Sequence, residues 1–245
     1  MNQTIESLLK HKSIRKFRND PVNADLLNLL VSAGQSAASS SFFQAVTIIR
    51  ITDHEIRRQL ASIAGNQEQV KFAAEFLIFC ADFNRSKKCC EGNGQTATEG
   101  FTEQFIVSTV DAALYAQNVV VAAESVGLGI CYIGAIRNNP KAASNLLHLP
   151  QNVYPVFGLC IGYPAEDPAV KPRLPISVVL KENNYNSQGD ASEIAAYDRV
   201  LKKYYENRSD NQKSQTWSGQ MTELLQKEAR PHMRGFLTAQ GFKMK

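Results

Sequence analysis

The stretch FTEQFIVSTVDAALYAQNVVVAAESV, residues 101–126, decides the fold of this chain. Beyond Phe105 its only charged residues are Asp111 and Glu124, and apolar residues occupy almost every side of the predicted helix. Gly127 follows directly and is typical of the left-handed residue that ends a helix. An apolar helix of this length is predicted to be central, either through the core of one chain or across an interface between two.

Runs of β-branched and apolar residues on both sides of this helix predict a sheet. The predicted strands are residues 46–52, 76–81, 153–162 and, at the sheet edge, 176–180, with 128–134 as a short strand or turn. Residues 84–99 are polar and are predicted to form a loop. Because strands and helices do not follow a strict βαβ order, the pattern favours the α+β class, a sheet covered by helices.

The composition changes from Tyr185 onward. Residues 185–245 are polar, are predicted to be helical and carry four of the eight tyrosines. They lack the apolar mass for a core of their own. We therefore expect a main body of residues 1–184 and a C-terminal helical extension, residues 185–245, that is not an independent domain.

Length and charge argue against several classes of protein. The chain has 245 residues, 44% of them hydrophobic, and a formal net charge of +4. Its basic residues are scattered, which disfavours a nucleic-acid surface. No run of about 18 uncharged apolar residues predicts a membrane span, and the first ten residues do not resemble a secretory signal. We expect a cytoplasmic protein with no membrane or nucleic-acid partner.

The histidines and cysteines follow no metal-binding spacing. The four histidines include no i,i+4 pair, and the five cysteines include no C-x-x-C motif. The chain also lacks a P-loop, a G-x-G-x-x-G motif after a strand and a G-x-S-x-G motif. These absences argue against metal-assisted and hydrolytic chemistry, and we expect no bound metal and reduced thiols.

Two basic clusters are candidates for binding an anion. His11-Lys12-Ser13-Ile14-Arg15 follows the first predicted helix and offers charged donors suited to phosphate; alternatively, these cations only complement the helix dipole. Lys171-Pro172-Arg173 presents two cations on a proline-stiffened loop. This second cluster is equally consistent with a solvated loop.

Two further clusters are rich in hydroxyl groups or glycine. Ser39-Ser40-Ser41 follows a predicted helix and offers hydroxyl donors, although serine runs also serve as plain connectors. The segment 127–134, GLGICYIG, lets the backbone approach a flat ligand closely, and a buried turn explains it equally well. Neither cluster is specific by itself.

Taken in order along the chain, these clusters resemble the nitroreductase family. The resemblance is to its NADPH-dependent group, the oxygen-insensitive nitroreductases and the flavin reductases that serve bacterial luciferase. It extends over essentially the whole chain and includes Gly65-Asn66-Gln67, Ala123-Glu124-Ser125, Arg137-Asn138-Asn139 and Thr216-Trp217-Ser218. It implies a central mixed, mainly antiparallel sheet flanked by helices, in which residues 1–184 bind FMN.

The resemblance also implies the residues that bind FMN tightly but not covalently, at the interface of a homodimer. Some hold the phosphate and ribityl chain, the serines reach the flavin of the partner chain, and others lie along the ring. The implied FMN contacts are His11, Lys12, Ser13, Arg15, Ser39, Ser40, Ser41, Gln67, Tyr132, Ile133, Gly134, Lys171 and Arg173. Lys12 departs from the more usual arginine of the family.

A second set of residues is implied for the substrates. Arg208, supported by Lys213, matches the loop that binds the 2′-phosphate of NADPH, and Arg230 matches a basic residue at the substrate mouth. The resemblance implies no catalytic side chain, because the flavin itself transfers the hydride.

The activity implied is that of an FMN-dependent NADPH oxidoreductase that reduces small-molecule acceptors: nitroaromatics, quinones or free flavin. One alternative is a dedicated flavin reductase that supplies reduced FMN to a partner monooxygenase. A more distant alternative is a non-catalytic protein that binds or stores flavin.

Overall fold

The computed structural model describes residues 2–208 and 214–245. Its elements are, in chain order, α1 (Gln3–Leu9), α2 (Ala24–Gln35), β1 (Val46–Arg50), α3 (His54–Ile63), α4 (Glu68–Phe72), β2 (Glu75–Asp82), α5 (Asn84–Gly92), α6 (Thr102–Ser125), β3 (Gly129–Ile133), α7 (Pro140–Leu146), β4 (Val153–Gly162), α8 (Ile176–Val179), α9 (Asp190–Glu206), α10 (Trp217–Leu225) and α11 (Met233–Ala239). Two 3₁₀ turns cover Ser40–Phe42 and Gly134–Asn138.

The four strands form one sheet in the order β1-β2-β4-β3. Each of the three neighbouring pairs is antiparallel. A single parallel bridge joins Ser13 to Ile130 at the edge of the sheet. The predicted α+β class, with a mainly antiparallel sheet flanked by helices, is therefore confirmed.

The two central strands, β2 and β4, are buried along almost their whole length. Their alternate side chains belong to two different cores, one on each face of the sheet, because successive residues of a strand point to opposite faces. Leu77 and Phe79 pack with the side chains of α2 and α6. Phe76 and Ile78 pack on the other face with those of α3.

Helix α6 is the central helix of the first core, as predicted. Its buried face is built largely from small and β-branched residues, including Ala112, Ala116 and Val119. Gly34 of α2 packs closely against it: a Cβ atom at Gly34 would lie 2.2 Å from the ring of Tyr115. By length and composition α6 would also suit a membrane span, but its buried face packs as that of a core helix.

The residues divide into two compact units, one formed by 1–167 with 230–245 and the other by 168–229. This grouping differs from the predicted boundary between residues 184 and 185. The last residues return to the first unit because Leu237 and Phe242 are buried in its core. In the second unit, Tyr197, Leu201 and Tyr205 form a small buried cluster, although the composition predicted no core there.

Two local predictions are wrong. Residues 84–99 begin with the helix α5 rather than a loop, because the Asp82 carboxylate accepts a hydrogen bond from Arg85 N (3.1 Å) and supplies the first turn with an acceptor. The predicted edge strand 176–180 is the single helical turn α8, which follows Pro175. Proline fits readily just before a helix, where no backbone donor is needed.

The cap of α3 gives a direct test of the local structure. Asp53 Oδ1 accepts a hydrogen bond from Ile56 N at 2.8 Å. We expect Asp53→Ala to lower the free energy of unfolding by about 1 kcal/mol, the usual cost of losing such a cap. Urea denaturation measures the loss. Asp53→Asn keeps the acceptor and is expected to cost far less; equal losses in the two variants would contradict this role.

Candidate functional site

The predicted phosphate-binding residues 11–15, together with the following Lys16, form the segment 11–16, which lies along the sheet edge formed by β3. Ile14 N donates a hydrogen bond to Ile130 O at 2.8 Å. The contact is close because Gly129 has no side chain: a Cβ atom there would lie 2.6 Å from Ile14 Cγ1. The glycine-containing segment therefore does allow a close backbone approach, here to residues 13 and 14 of the same chain.

Two acidic residues hold the start of this segment. His11 Nδ1 lies 2.7 Å from Glu124 Oε1, and both side chains are partly buried. Lys12 Nζ makes an ion pair with Asp167, whose side chain is 88% exposed. Because an exposed ion pair contributes little to stability, the Lys12–Asp167 pair can open when a stronger anion competes for the ammonium group.

Glu166 holds the end of the same segment through backbone groups. Its Oε1 accepts hydrogen bonds from Arg15 N at 2.5 Å and from Lys16 N at 3.0 Å. Among the residues that the structure describes, the guanidinium of Arg15 has no carboxylate partner. Arg15 is therefore the cation of this segment that is most available to an anion, and its planar fork suits phosphate.

The serine run lies on a loop that Asp111 of α6 holds in place. Ser39 Oγ donates to Asp111 Oδ2 at 2.6 Å, and Ala45 N donates to the same oxygen at 2.9 Å. In the described part of the chain, the hydroxyl groups of Ser40 and Ser41 have no hydrogen-bond partner. Of the three predicted serines, these two are free to donate to a ligand.

Two carboxylates of α6, Asp111 and Glu124, therefore hold two different predicted binding segments. Asp111 holds the serine loop, and Glu124 holds His11. They stand 13 positions apart on one helix, which separates them by about 20 Å along its axis at 1.5 Å per residue. Within one chain the serine loop and His11 are thus tied to points far apart on α6.

Gln67 is held at the start of α4. Its Nε2 donates to Ala64 O at 3.1 Å, and its Oε1 accepts from Gln69 Nε2 at 2.6 Å. An amide nitrogen carries two hydrogens. One N–H of Gln67 therefore remains for a ligand, and the orientation of the amide is set by its two neighbours.

The predicted ring-binding segment 132–134 has both of its side chains committed to packing. Tyr132 packs edge-on against Phe157, with ring centroids 5.0 Å apart, and its hydroxyl donates to Gln117 Oε1 at 3.4 Å. Ile133 is fully buried on the opposite face of the sheet. What the segment can offer a ligand is mainly its backbone.

Arg230, predicted at the substrate mouth, lies beside the turn that follows this segment. Its Nε donates to Asn138 Oδ1 at 3.1 Å. Arg137 in the same turn is half-buried, and burial together with the positive charge of Arg230 lowers its pKa. A Cβ atom at Gly134 would lie 3.3 Å from Arg137 Nη2. Two cations therefore border the predicted ring segment.

In the second unit, tyrosines of α9 hold the basic proline-rich loop. Tyr197 Oη donates to Pro172 O at 2.9 Å, between the two predicted cations. Lys171 Nζ lies 5.2 Å from the centre of the Tyr205 ring, a cation–π distance. Arg208, at the end of α9, lies 6.0 Å from the centre of the Tyr204 ring. Three predicted residues, Lys171, Arg173 and Arg208, thus belong to this unit.

One predicted residue, Lys213, lies outside the described residues. Within residues 2–208 and 214–245, no group of three or more histidine, cysteine or acidic side chains has the arrangement of a metal site. Sequence reasoning gave no binding role to Asp111, Glu124 or Arg137. The signals for them were the two isolated charges of an apolar helix and the Ala-Glu-Ser and Arg-Asn-Asn motifs.

Comparison with known proteins covers the whole chain. Residues 8–163 match the nitroreductase family, and residues 171–245 match the C-terminal domain of the nitroreductase family. A relative named NADPH-flavin oxidoreductase, from Vibrio harveyi, is 44% identical over 98% of both chains. One named oxygen-insensitive NADPH nitroreductase, from Salmonella typhimurium, is 45% identical over 99% of both.

The fold agrees with the sequence comparison. The crystal structure of nitroreductase A from Vibrio parahaemolyticus superposes with a TM-score of 0.92 at 43% identity, and all of both chains is covered. A structure of NADPH:FMN oxidoreductase from Vibrio harveyi, complexed with NAD+, gives a TM-score of 0.91 at 41% identity, again over all of both chains. Sequence and fold together show that this chain belongs to the nitroreductase family.

Proposed function

We propose that this protein is an FMN-dependent NADPH oxidoreductase that reduces nitroaromatics, quinones or free flavin by ping-pong two-electron transfer. The observation that carries the proposal is the end-to-end similarity to relatives named for these activities, at 44% and 45% identity. The arrangement of free donors in the first unit supports it. Small-molecule electron acceptors are the expected partners.

The residues present fit the chemistry of FMN. Its phosphate needs cationic donors, and Arg15 has a guanidinium without a carboxylate partner among the described residues. Its ribityl chain and ring need hydroxyl and amide donors, which Ser40, Ser41 and the spare N–H of Gln67 supply. His11, Lys12, Ser13, Ser39 and the segment 132–134 complete the proposed contacts in this unit. Binding is proposed to be tight and non-covalent.

Lys171 and Arg173 are proposed as further phosphate ligands. Tyr197 fixes the backbone between them, so little ordering entropy is lost when the loop binds an anion. Arg208, with Lys213, is proposed to bind the 2′-phosphate of NADPH. Arg230 is proposed to line the place where the second substrate binds.

When bound, FMN supplies the redox chemistry, in which a hydride from NADPH is accepted and then delivered to the acceptor. The side chains bind, orient and shield the cofactor, and none is proposed as an acid or base. Burial raises the pKa of Cys131 and of Tyr132, so both stay protonated and uncharged at neutral pH. The ring segment therefore offers no ionised side chain of its own.

A homodimer with FMN at the interface is part of the proposal. Ile106, Val110 and Leu114 form a row on α6 at i, i+4 and i+8 that is 43–48% exposed. An exposed apolar row of this kind is typical of an interface. The serine loop and His11 are bound to distant points on α6. This separation supports the proposal that the serines contact the flavin of the partner chain. We propose a cytoplasmic location, with no membrane or nucleic-acid partner.

The named relatives also favour a second candidate. The relative from Vibrio harveyi is named as a flavin oxidoreductase, which supports a dedicated reductase that feeds reduced FMN to a monooxygenase. A non-catalytic flavin-binding or storage protein is less well supported, because it would have no need of a receptor for the 2′-phosphate at Arg208.

One prediction of the proposed function concerns the purified protein. We expect it to be yellow, to release FMN on denaturation and to bleach when NADPH is added without oxygen. The visible absorbance spectrum records all three. A colourless protein that neither binds added FMN nor oxidises NADPH with an acceptor would refute the proposal. Rates with free FMN against a nitroaromatic then separate the two enzymatic candidates.

Another prediction of the proposed function concerns the choice of nicotinamide nucleotide. We expect Arg208→Ala to raise KM for NADPH about tenfold or more, because a charge-assisted hydrogen bond to the 2′-phosphate is lost. KM for NADH should change little. Arg199→Ala removes an exposed arginine from the same unit and is the matched control. An equal rise for both nucleotides would contradict the role of Arg208.

A further inference from the structure

Asp111 is unusual among the residues of α6 because its carboxylate is buried. The residue is 4% exposed and is the one charged residue of α6 between Glu103 and Glu124. No ion pair to Asp111 is present within residues 2–208 and 214–245. A buried carboxylate without a cation is stabilised only by hydrogen bonds.

In the described part of the chain, the donors to Asp111 all lie on one loop, residues 39–45. Oδ2 accepts from Ser39 Oγ at 2.6 Å and from Ala45 N at 2.9 Å. Oδ1 faces Ser40 N at 3.4 Å. The carboxylate therefore binds both ends of the loop at once.

The loop is in a conformation that needs such support. Ser41, Phe42 and Gln44 have φ values of 47°, 57° and 50°, in the left-handed region that non-glycine residues rarely adopt. Phe42 is 78% exposed, so burial of its ring does not stabilise the loop. Beside Asp111 lies a cavity of about 480 Å³ rather than a packed core.

The other contacts of the loop lie toward its C-terminal end. Arg85 Nη1 donates to Gln44 O at 3.2 Å, the rings of Phe43 and Phe83 are 5.5 Å apart, and Asp82 N donates to Ala45 O at 2.9 Å. These contacts hold residues 43–45. The part that contains Ser39 and Ser40 is held by Asp111, together with the local bonds of the turn.

The bond from Ser39 restricts what that serine can do. A hydroxyl has one proton, and Ser39 donates it to Asp111 while its oxygen accepts from Gln44 N at 2.7 Å. Ser39 can still accept a hydrogen bond from a ligand but cannot donate one. The neighbouring hydroxyls of Ser40 and Ser41 remain available.

We propose that Asp111 is a positioning residue: its buried carboxylate holds the loop 39–45 in the strained conformation that presents Ser40 and Ser41 to the flavin. The inference rests on the proposed function, since it assumes that these serines contact FMN. It assigns Ser39 to the support of the loop, as the link between the carboxylate and Gln44, in place of the direct contact with FMN that the resemblance implies.

The test compares three variants with the wild type. Asp111→Leu removes every acceptor, Asp111→Asn keeps part of them, and Ser39→Ala removes the hydroxyl that links Asp111 to the loop. Ser108→Ala is the matched control, because Ser108 is buried on the same helix and bonds only to carbonyls within it. The measurements are the Kd for FMN, by quenching of flavin fluorescence, and amide hydrogen exchange of residues 39–46 in the apoprotein.

We expect the Kd for FMN to rise about tenfold in Asp111→Leu, the order expected for losing a hydrogen bond to a charged group. The rise should be smaller in Asp111→Asn and absent in Ser108→Ala. Hydrogen exchange of the Ala45 amide should be accelerated most in Asp111→Leu, less in Asp111→Asn and not at all in Ser108→Ala. As a single change, Ser39→Ala should also raise the Kd for FMN. Combined with Asp111→Leu, it should raise the Kd little further, because both changes remove the same support of the loop.

Three results would overturn the inference: an unchanged Kd in folded Asp111→Leu, unchanged exchange at Ala45, or fully additive effects of Ser39→Ala and Asp111→Leu. Additivity would mean that Ser39 acts on FMN independently of Asp111. If Asp111→Leu does not fold, Asp111→Asn and Ser39→Ala decide by the same criteria. A wild-type protein that fails to bind FMN would instead refute the proposed function. Hydrogen exchange in the apoprotein would then still test whether Asp111 holds the loop 39–45.

Discussion

A carboxylate that is buried away from water needs hydrogen-bond donors, and this requirement links the core of the protein to its candidate site. Helix α6 is apolar enough to lie in the centre of the first unit, yet it carries Asp111 and Glu124. Each of them meets its donor on a segment outside the helix, the serine loop in one case and His11 in the other. Both segments are therefore tied to one rigid element, and packing in the core fixes where they can lie.

The sheet imposes the second constraint. The segment 11–16 approaches β3 closely because Gly129 leaves room for Ile14, and Glu166, which follows β4, holds its backbone from the other side. The backbone of the segment thus forms hydrogen bonds within the protein, while the Arg15 guanidinium has no carboxylate partner in the described part of the chain. A loop is well ordered when its backbone groups form hydrogen bonds within the protein. If its cationic side chain has no carboxylate partner, the same loop can bind an anion.

Much of the fold could be predicted from the sequence where a pattern is long or strongly apolar. The helix at 101–126 and the strand at 153–162 agree closely with α6 and β4, since their periodicity extends over many residues. Short elements were harder. The helix α5 depends on an acceptor from Asp82, and α8 is a single turn, so neither has a pattern long enough to separate helix from loop or strand.

The candidate site shows the same division. The resemblance supplied the segments, but not the residues that hold them, because a contact between positions 39 and 111 depends on the fold and leaves no local pattern. Asp111 stood out only as a charge in an apolar helix, and Glu124 as a second such charge and as part of the Ala123-Glu124-Ser125 motif. The second unit is similar: four tyrosines stood out by composition, and the contacts of three of them, Tyr197, Tyr204 and Tyr205, with the basic loop became clear only from the structure.

The central claim is that the segment 11–16 binds a phosphate group and that Arg15 is its principal free cation. The most direct measurement is the ratio of the Kd for riboflavin to the Kd for FMN, because the two ligands differ only by the phosphate. We expect a ratio of about 100 in the wild type, as for two charge-assisted hydrogen bonds, and a ratio about tenfold lower in Arg15→Ala. A wild-type ratio near one, or a ratio that Arg15→Ala leaves unchanged, would contradict the account.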